Sequence, residues 1–107
     1  MISVSAEEYD IIINILKTYI KKGKVYAFGS RFKHNNRKFS DFDIAVDIGE
    51  KLSFEFLNIL KDAFEESDLP YRVDIIDYNN ISNKFKNIVD NENEIIYNGE
   101  IYQYNKE

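Results

Sequence analysis

Residues 41–48 alternate without a break. Phe42, Ile44, Val46 and Ile48 fall on one side, and Asp41, Asp43, Ala45 and Asp47 on the other. An extended chain separates two such sets, because side-chain direction in a strand reverses at every residue. The segment therefore reads as a strand with its apolar side against a core and its acidic side turned away, and the rest of the fold has to be arranged around it.

Upstream, Ser5 followed by Glu8 forms a capping box. Tyr9, Ile12, Ile13, Leu16, Tyr19 and Ile20 then recur at helical spacing, and Gly23 is the expected stop. Val25 to Phe28 is a short apolar run that suits a buried strand ending at Gly29. Residues 31–40 are polar and basic and read as a loop, with room for one helical turn after Ser30. Downstream, Ser53 caps a helix carrying Phe56, Leu57, Leu60, Ala63 and Phe64 as its apolar stripe. Residues 71–77 form a third strand, with Asp74 and Ile76 on one face and Val73, Ile75 and Asp77 on the other. Ile81, Phe85, Ile88 and Val89 fit a short helix. Asn98-Gly99, between Ile95-Ile96-Tyr97 and Ile101-Tyr102, signals a hairpin. A helix between the second and third strands implies a parallel, right-handed crossover, whereas the loop between the first two implies an antiparallel pair. The expected fold class is α/β (α+β): a small mixed β-sheet with flanking helices, in a single domain over residues 1–107.

Composition removes several kinds of chemistry. The 107 residues include no cysteine, which excludes disulfides, thiolate metal sites and thiol nucleophiles. A single histidine, His34, is too few for a His-rich metal site and a poor basis for a Ser-His-Asp triad. The formal net charge is -5, the wrong sign for a protein that wraps a duplex, so no general nucleic-acid binding is expected. No run of about 18 apolar residues is present, and the first ten residues have neither a basic nor an apolar leader region. A cytoplasmic protein without membrane association is the expectation.

Three features converge on one chemistry. Gly29-Ser30 ends the first strand, Asp41-Phe42-Asp43 opens the second, and Asp74 lies in the third. Alternation puts Asp41 and Asp43 on one face, about 6–7 Å apart along the strand. A parallel third strand would bring Asp74 level with them. Two unit charges at about 4 Å repel by ~4 kcal/mol at an effective dielectric of about 20, so such a cluster needs a cation. Hard oxygen ligands with an incomplete shell suit Mg²⁺, which keeps waters and takes substrate phosphates. A glycine beside a hydroxyl at a strand end lets a phosphate approach the backbone. Together these are the parts that phosphoryl transfer requires.

The wording Phe28-Gly29-Ser30-Arg31, then Phe39-Ser40-Asp41-Phe42-Asp43-Ile44-Ala45-Val46, then Val73-Asp74-Ile75-Ile76-Asp77, resembles the minimal nucleotidyltransferases of the DNA polymerase beta superfamily. The resemblance spans roughly residues 5–90. It implies the polymerase-beta-like nucleotidyltransferase fold. It further implies that Gly29 and Ser30, with Arg31 beside them, bind the triphosphate of ATP. Asp41 and Asp43 would hold two Mg²⁺ ions, for which Mn²⁺ can stand in, and Asp74 would complete the metal site and help activate the acceptor hydroxyl. Phe32, Lys33 and His34 stand where the family often has a small residue and then a glycine. Minimal members are commonly paired with a small all-helical protein of the HEPN type. In several such pairs the helical protein is a ribonuclease toxin, silenced when AMP is attached to a tyrosine. The resemblance thus implies an AMP-transferring antitoxin in a hetero-oligomer with a HEPN-like partner. Two alternatives stand beside it: the same chemistry on a small molecule or nucleic-acid end, and a non-catalytic module that inhibits by binding.

Neighbouring residues carry plainer readings. Asp47 lies ~13 Å along the strand from Asp43, too far to share an ion, and reads as a solvated strand end. Asp77 reads as the start of a turn through Tyr78-Asn79-Asn80. Ser30 suits both an N-cap and a phosphate ligand. Of Arg31, Lys33, Arg37 and Lys38, one or two are expected at phosphates. Ile11 and Ile15 widen the apolar arc of the first helix, consistent with a generous core or with a partner surface.

Overall fold

The expected central strand is β2 (Phe42–Asp47), and its two faces organise the molecule. The computed structural model describes residues 2–99. In chain order the elements are α1 (Ala6–Tyr19), β1 (Lys24–Phe28), the single-turn α2 (Ser30–Lys33), β2, α3 (Phe54–Glu65), β3 (Val73–Asp77), a 3-10 turn (Tyr78–Asn80), α4 (Asn83–Asn91) and β4 (Glu94–Asn98). The strands lie in the order β3-β2-β1-β4. β1 runs antiparallel to both β2 and β4, and β2 runs parallel to β3 across the α3 connection, as the loop and helix lengths require. This mixed four-stranded sheet with flanking helices is the expected fold class.

Phe42, Ile44 and Val46 are fully buried with Val25 and Ala27 of β1, beneath Ile12 and Leu16 of α1 and Leu60 and Phe64 of α3. Burial of this kind contributes about 1.5–3 kcal/mol per large aliphatic or aromatic side chain. The opposite face carries a smaller cluster in which Phe28, Ala45 and Val89 pack with Tyr26, Ile76, Tyr78 and Phe85. α4 covers part of that face, and the strand ends bearing the aspartates lie on it.

Helix starts match the capping residues. Ser5 Oγ accepts from Glu8 N and Glu8 Oε1 accepts from Ser5 N, closing the capping box of α1. Ser53 caps α3 as expected, its Oγ accepting from Phe56 N, and Ser82, not singled out in the sequence, caps α4 by accepting from Phe85 N. The ends differ from expectation. α1 stops at Tyr19, with Ile20 already extended, and Gly23 serves instead as the positive-φ turn into β1. β3 begins at Val73, two residues later than expected, because Tyr71 is turned into the core and held by its hydroxyl on Glu8 Oε1 at 3.0 Å. The first half of the Asn98-Gly99 hairpin signal is a strand, β4, but it pairs with β1 through a bulge next to Val25 and Tyr26. The second half, Ile101-Tyr102, lies outside the described residues. Among the described residues no helix is long and apolar enough to cross a membrane.

Candidate active site

β1 delivers Phe28 opposite Asp43 and then turns sharply at Gly29, whose φ of 76° and ψ of -155° suit glycine alone. A Cβ on Gly29 would overlap Asp43 Oδ2 and lie 3.1 Å from its Cγ. The glycine is thus required twice, for backbone conformation and for room beside the carboxylate. The chain becomes helical at once. Gly29 is the cap of α2 and Ser30 its first residue, so the capping role expected of Ser30 falls to its neighbour. The Ser30 hydroxyl, half-buried, makes no hydrogen bond among the described residues. α2 closes at His34, which takes the left-handed conformation at φ 61°. His34 does what a glycine would do at that turn, and histidine is among the residues that tolerate the region.

On β2 and β3 the parallel register sets Asp43 directly beside Asp74. Neighbouring strands are about 4.8 Å apart, so the two carboxylates leave the same face as close neighbours. Asp41 lies one residue before β2 on the same side. Burial pushes the Asp43 carboxyl up to about 6, with the negative charges of Asp74 and then Asp41 adding to the effect. Neither Asp43 nor Asp74 accepts a hydrogen bond from any described residue. Asp74 is exposed and Asp43 half-buried, so the pair opens to solvent.

Arg72 was not singled out in the sequence, yet it belongs here. Its Nη2 lies 3.0 Å from Asp41 Oδ2, and its exposed guanidinium also feels Asp74. The signal was present: Arg72 precedes Asp74 by two residues and therefore shares its face, opposite Asp41 in the β2–β3 register.

Arg31 departs from the expectation of a phosphate ligand. It is 4% exposed, and its guanidinium donates to the carbonyls of Ser3, Lys38 and Ser40 while lying 3.7 Å over the Tyr71 ring. Four donor contacts to main-chain oxygens make it the brace of the 34–40 loop. Lys33 is paired with Glu92 at 3.0 Å, while Arg37 and Lys38 remain exposed on that loop. Asp47 is not simply solvated: it accepts from Gly49 N and Asn79 Nδ2. Asp77 opens the 3-10 turn as expected and also accepts from Leu52 N.

The oxygen-only donor set of Asp41, Asp43 and Asp74 fits a hard divalent cation. Burial first, and then the neighbouring charges of Asp74 and Asp41, raise Asp43, and Arg72 supplies a positive charge at Asp41. The three side chains are not drawn onto one point: among the described residues no trio of acidic or histidine side chains converges as a closed metal site. An incomplete protein shell of this kind is what Mg²⁺ shared with substrate phosphates requires.

Comparison with known proteins identifies the family and the fold. The family model described as "Polymerase beta, Nucleotidyltransferase" matches residues 10–101. The chain is 41% identical over 88 residues to the probable protein adenylyltransferase MntA of Haemophilus influenzae, covering 82% of this chain and 77% of that protein. It superimposes with a TM-score of 0.72 on a chain from the crystal structure of a toxin-antitoxin with AMP-PNP, at 26% identity, covering 84% of this chain and 73% of the other. The fold is shared, at 22% identity and a TM-score of 0.60, with a chain from a complex of a tri-AMPylated Shewanella oneidensis HEPN toxin and its MNT antitoxin, covering 92% and 76% of the two chains.

Proposed function

The chain belongs to the polymerase beta nucleotidyltransferase family, and from that premise we propose that it is an antitoxin that transfers AMP from ATP to a tyrosine hydroxyl of a HEPN-type toxin. The observation that carries this reading is the alignment of Asp43 and Asp74 on neighbouring parallel strands, with Asp43 packed against Gly29 and Ser30 next in the chain. The named relatives support the acceptor class: one is called a protein adenylyltransferase, and another structure contains an AMPylated HEPN toxin.

Each residue has a definite task in this reading. Gly29 lets the triphosphate approach the turn between β1 and α2, and Ser30 donates its hydroxyl to a phosphate oxygen. Asp41, Asp43 and Asp74 would hold Mg²⁺, or Mn²⁺ in its place. When bound, the ions neutralise the charge that develops on the attacking and leaving oxygens. Asp74, the exposed one of the three and on the strand beyond β2 from Gly29, faces the acceptor. It receives the phenolic proton as the tyrosine oxygen bonds to the α-phosphorus and the bond to the bridging oxygen breaks, releasing pyrophosphate. Tyrosine suits the route because its pKa, near 10, is well below that of an aliphatic hydroxyl.

Intact-mass spectrometry of the HEPN-type protein that co-purifies with the chain, incubated with ATP and Mg²⁺, tests the proposal. Wild type should add one or more AMP masses. Asp74→Asn should cut transfer by about 10²–10⁴-fold, the range of a lost general base, while calorimetry finds most of the ATP affinity retained. A partner that is inhibited without gaining mass would replace this reading with inhibition by binding alone.

A further inference from the structure

Resting on that reading, we propose that Arg72 is an exchangeable counter-ion. It neutralises Asp41 before the site is loaded, and it passes to the triphosphate of ATP when Asp41 takes a divalent cation, so that metal and nucleotide bind cooperatively. The position follows from the register. Phe42 pairs with Val73, so Arg72 stands opposite Asp41 where the two parallel strands begin. Its side chain shares the face of Asp74, two residues on. Its carbonyl accepts from Phe42 N at 2.9 Å, which fixes the backbone at this point. Gly29 follows the β1 residue that pairs with Asp43, while Arg72 belongs to the opposite flank of β2. The acids therefore lie between a glycine turn on one side and a guanidinium on the other.

Two arginines adjoin these acids, and they are held in opposite ways. Arg31 is buried, with its guanidinium spent on three main-chain carbonyls. The Arg72 side chain is 79% exposed, and among the described residues it makes one ion pair, Nη2 to Asp41 Oδ2 at 3.0 Å. A guanidinium carries five N–H donors, so most of those on Arg72 are open to a ligand. Asp41 first, and then Asp74 more weakly, favour its charge. An exposed pair of this kind is weak and readily exchanged. A divalent cation and a guanidinium compete for the Asp41 carboxylate, and their like charges repel. The same positive charge attracts a triphosphate, and the planar fork matches phosphate oxygens in pairs. Arg72 therefore opposes the cation alone and favours the cation together with ATP, which is a coupling between the two ligands.

Calorimetry of the full chain, with Mn²⁺ alone and then with ATP at saturating Mn²⁺, tests both halves of the exchange. Arg72→Gln should tighten Mn²⁺ alone about fivefold, equivalent to ~1 kcal/mol, and weaken ATP about tenfold, equivalent to ~1.4 kcal/mol. Arg72→Lys keeps the charge without the fork, so it should bind Mn²⁺ as wild type does and recover part of the ATP affinity. Lys51→Gln, the same charge change beyond the other end of β2, should alter neither. Opposite shifts are the signature, because a merely structural role would weaken both ligands. Weakening of both in Arg72→Gln would make Arg72 a support for Asp41 and overturn the exchange. Tightening of both would leave it a competitor only, and no shift in either would give it no part; each overturns the proposal. A wild-type chain that shows the opposite shifts on mutation but adds no AMP mass to its partner removes the proposed function and leaves the exchange standing. One that binds neither Mn²⁺ nor ATP removes both.

Discussion

At one end of β2, Asp47 accepts hydrogen bonds from Gly49 N and Asn79 Nδ2, and its neighbour Asp77 on β3 accepts from Leu52 N and Asn79 N. At the other end, Asp43 and Asp74 stand side by side in the same two strands with no such donors, beside a glycine that leaves room and a third acid, Asp41. The residue type and the strands are the same; the supply of donors differs. A carboxylate given N–H groups is part of the scaffold, and one left without them beside like charges is the candidate for a ligand. Net charge or a count of aspartates would not separate the two ends.

The sharpest way to break this contrast is to remove the room beside Asp43. Gly29→Ala adds a methyl against Asp43 Oδ2 at a positive φ, which should cost about 1–3 kcal/mol in thermal unfolding and abolish AMP transfer. Retained transfer would mean that the glycine does not shape the site. Less severe is the loss of a scaffold acid. Asp77→Ala leaves Leu52 N and Asn79 N without their acceptor, and it should lower stability by about 1–2 kcal/mol while the transfer rate of the folded protein stays near wild type.

The smallest effect is in the pH dependence of stability. Asp43 is raised from 3.8 to about 6 by burial first and then by Asp74 and Asp41. The folded protein therefore binds this proton more tightly than the unfolded chain. The stability it confers is fully present below the unfolded value and is lost as the pH rises through about 6. Solvent reaches the half-buried group and screens it, so the slope is shallow. Melting curves between these limits in a chelator should show stability falling as pH rises, and Asp43→Asn should flatten that component. An unchanged slope in the variant would place the titration elsewhere.

The strand alternation from Phe42 to Asp47 was legible because it is local, and so were the caps Ser5 and Ser53 and the parallel placement of Asp74. What sequence reasoning missed depends on distant partners. Arg31 is buried because Ser3, 28 positions away, and Tyr71 meet it. Asp47 finds its donor on Asn79, 32 positions away. Arg72 is the exception: the same period-two argument that placed Asp74 also puts it on the site face.

The fastening of Arg31 bears on how freely such proteins can diverge. One buried guanidinium ties Ser3, Lys38 and Ser40 together beside Tyr71. The turn from Asn35 to Arg37 is fastened at both ends, Asn35 N to the Ser30 carbonyl and Arg37 through its N–H and carbonyl to Ser40, and Asp41 begins immediately after Ser40. A change in the length of that turn would therefore reach Asp41 through Ser40. Exposed side chains such as Asn35 can change, and with them the contacts they make, as long as these main-chain bonds persist.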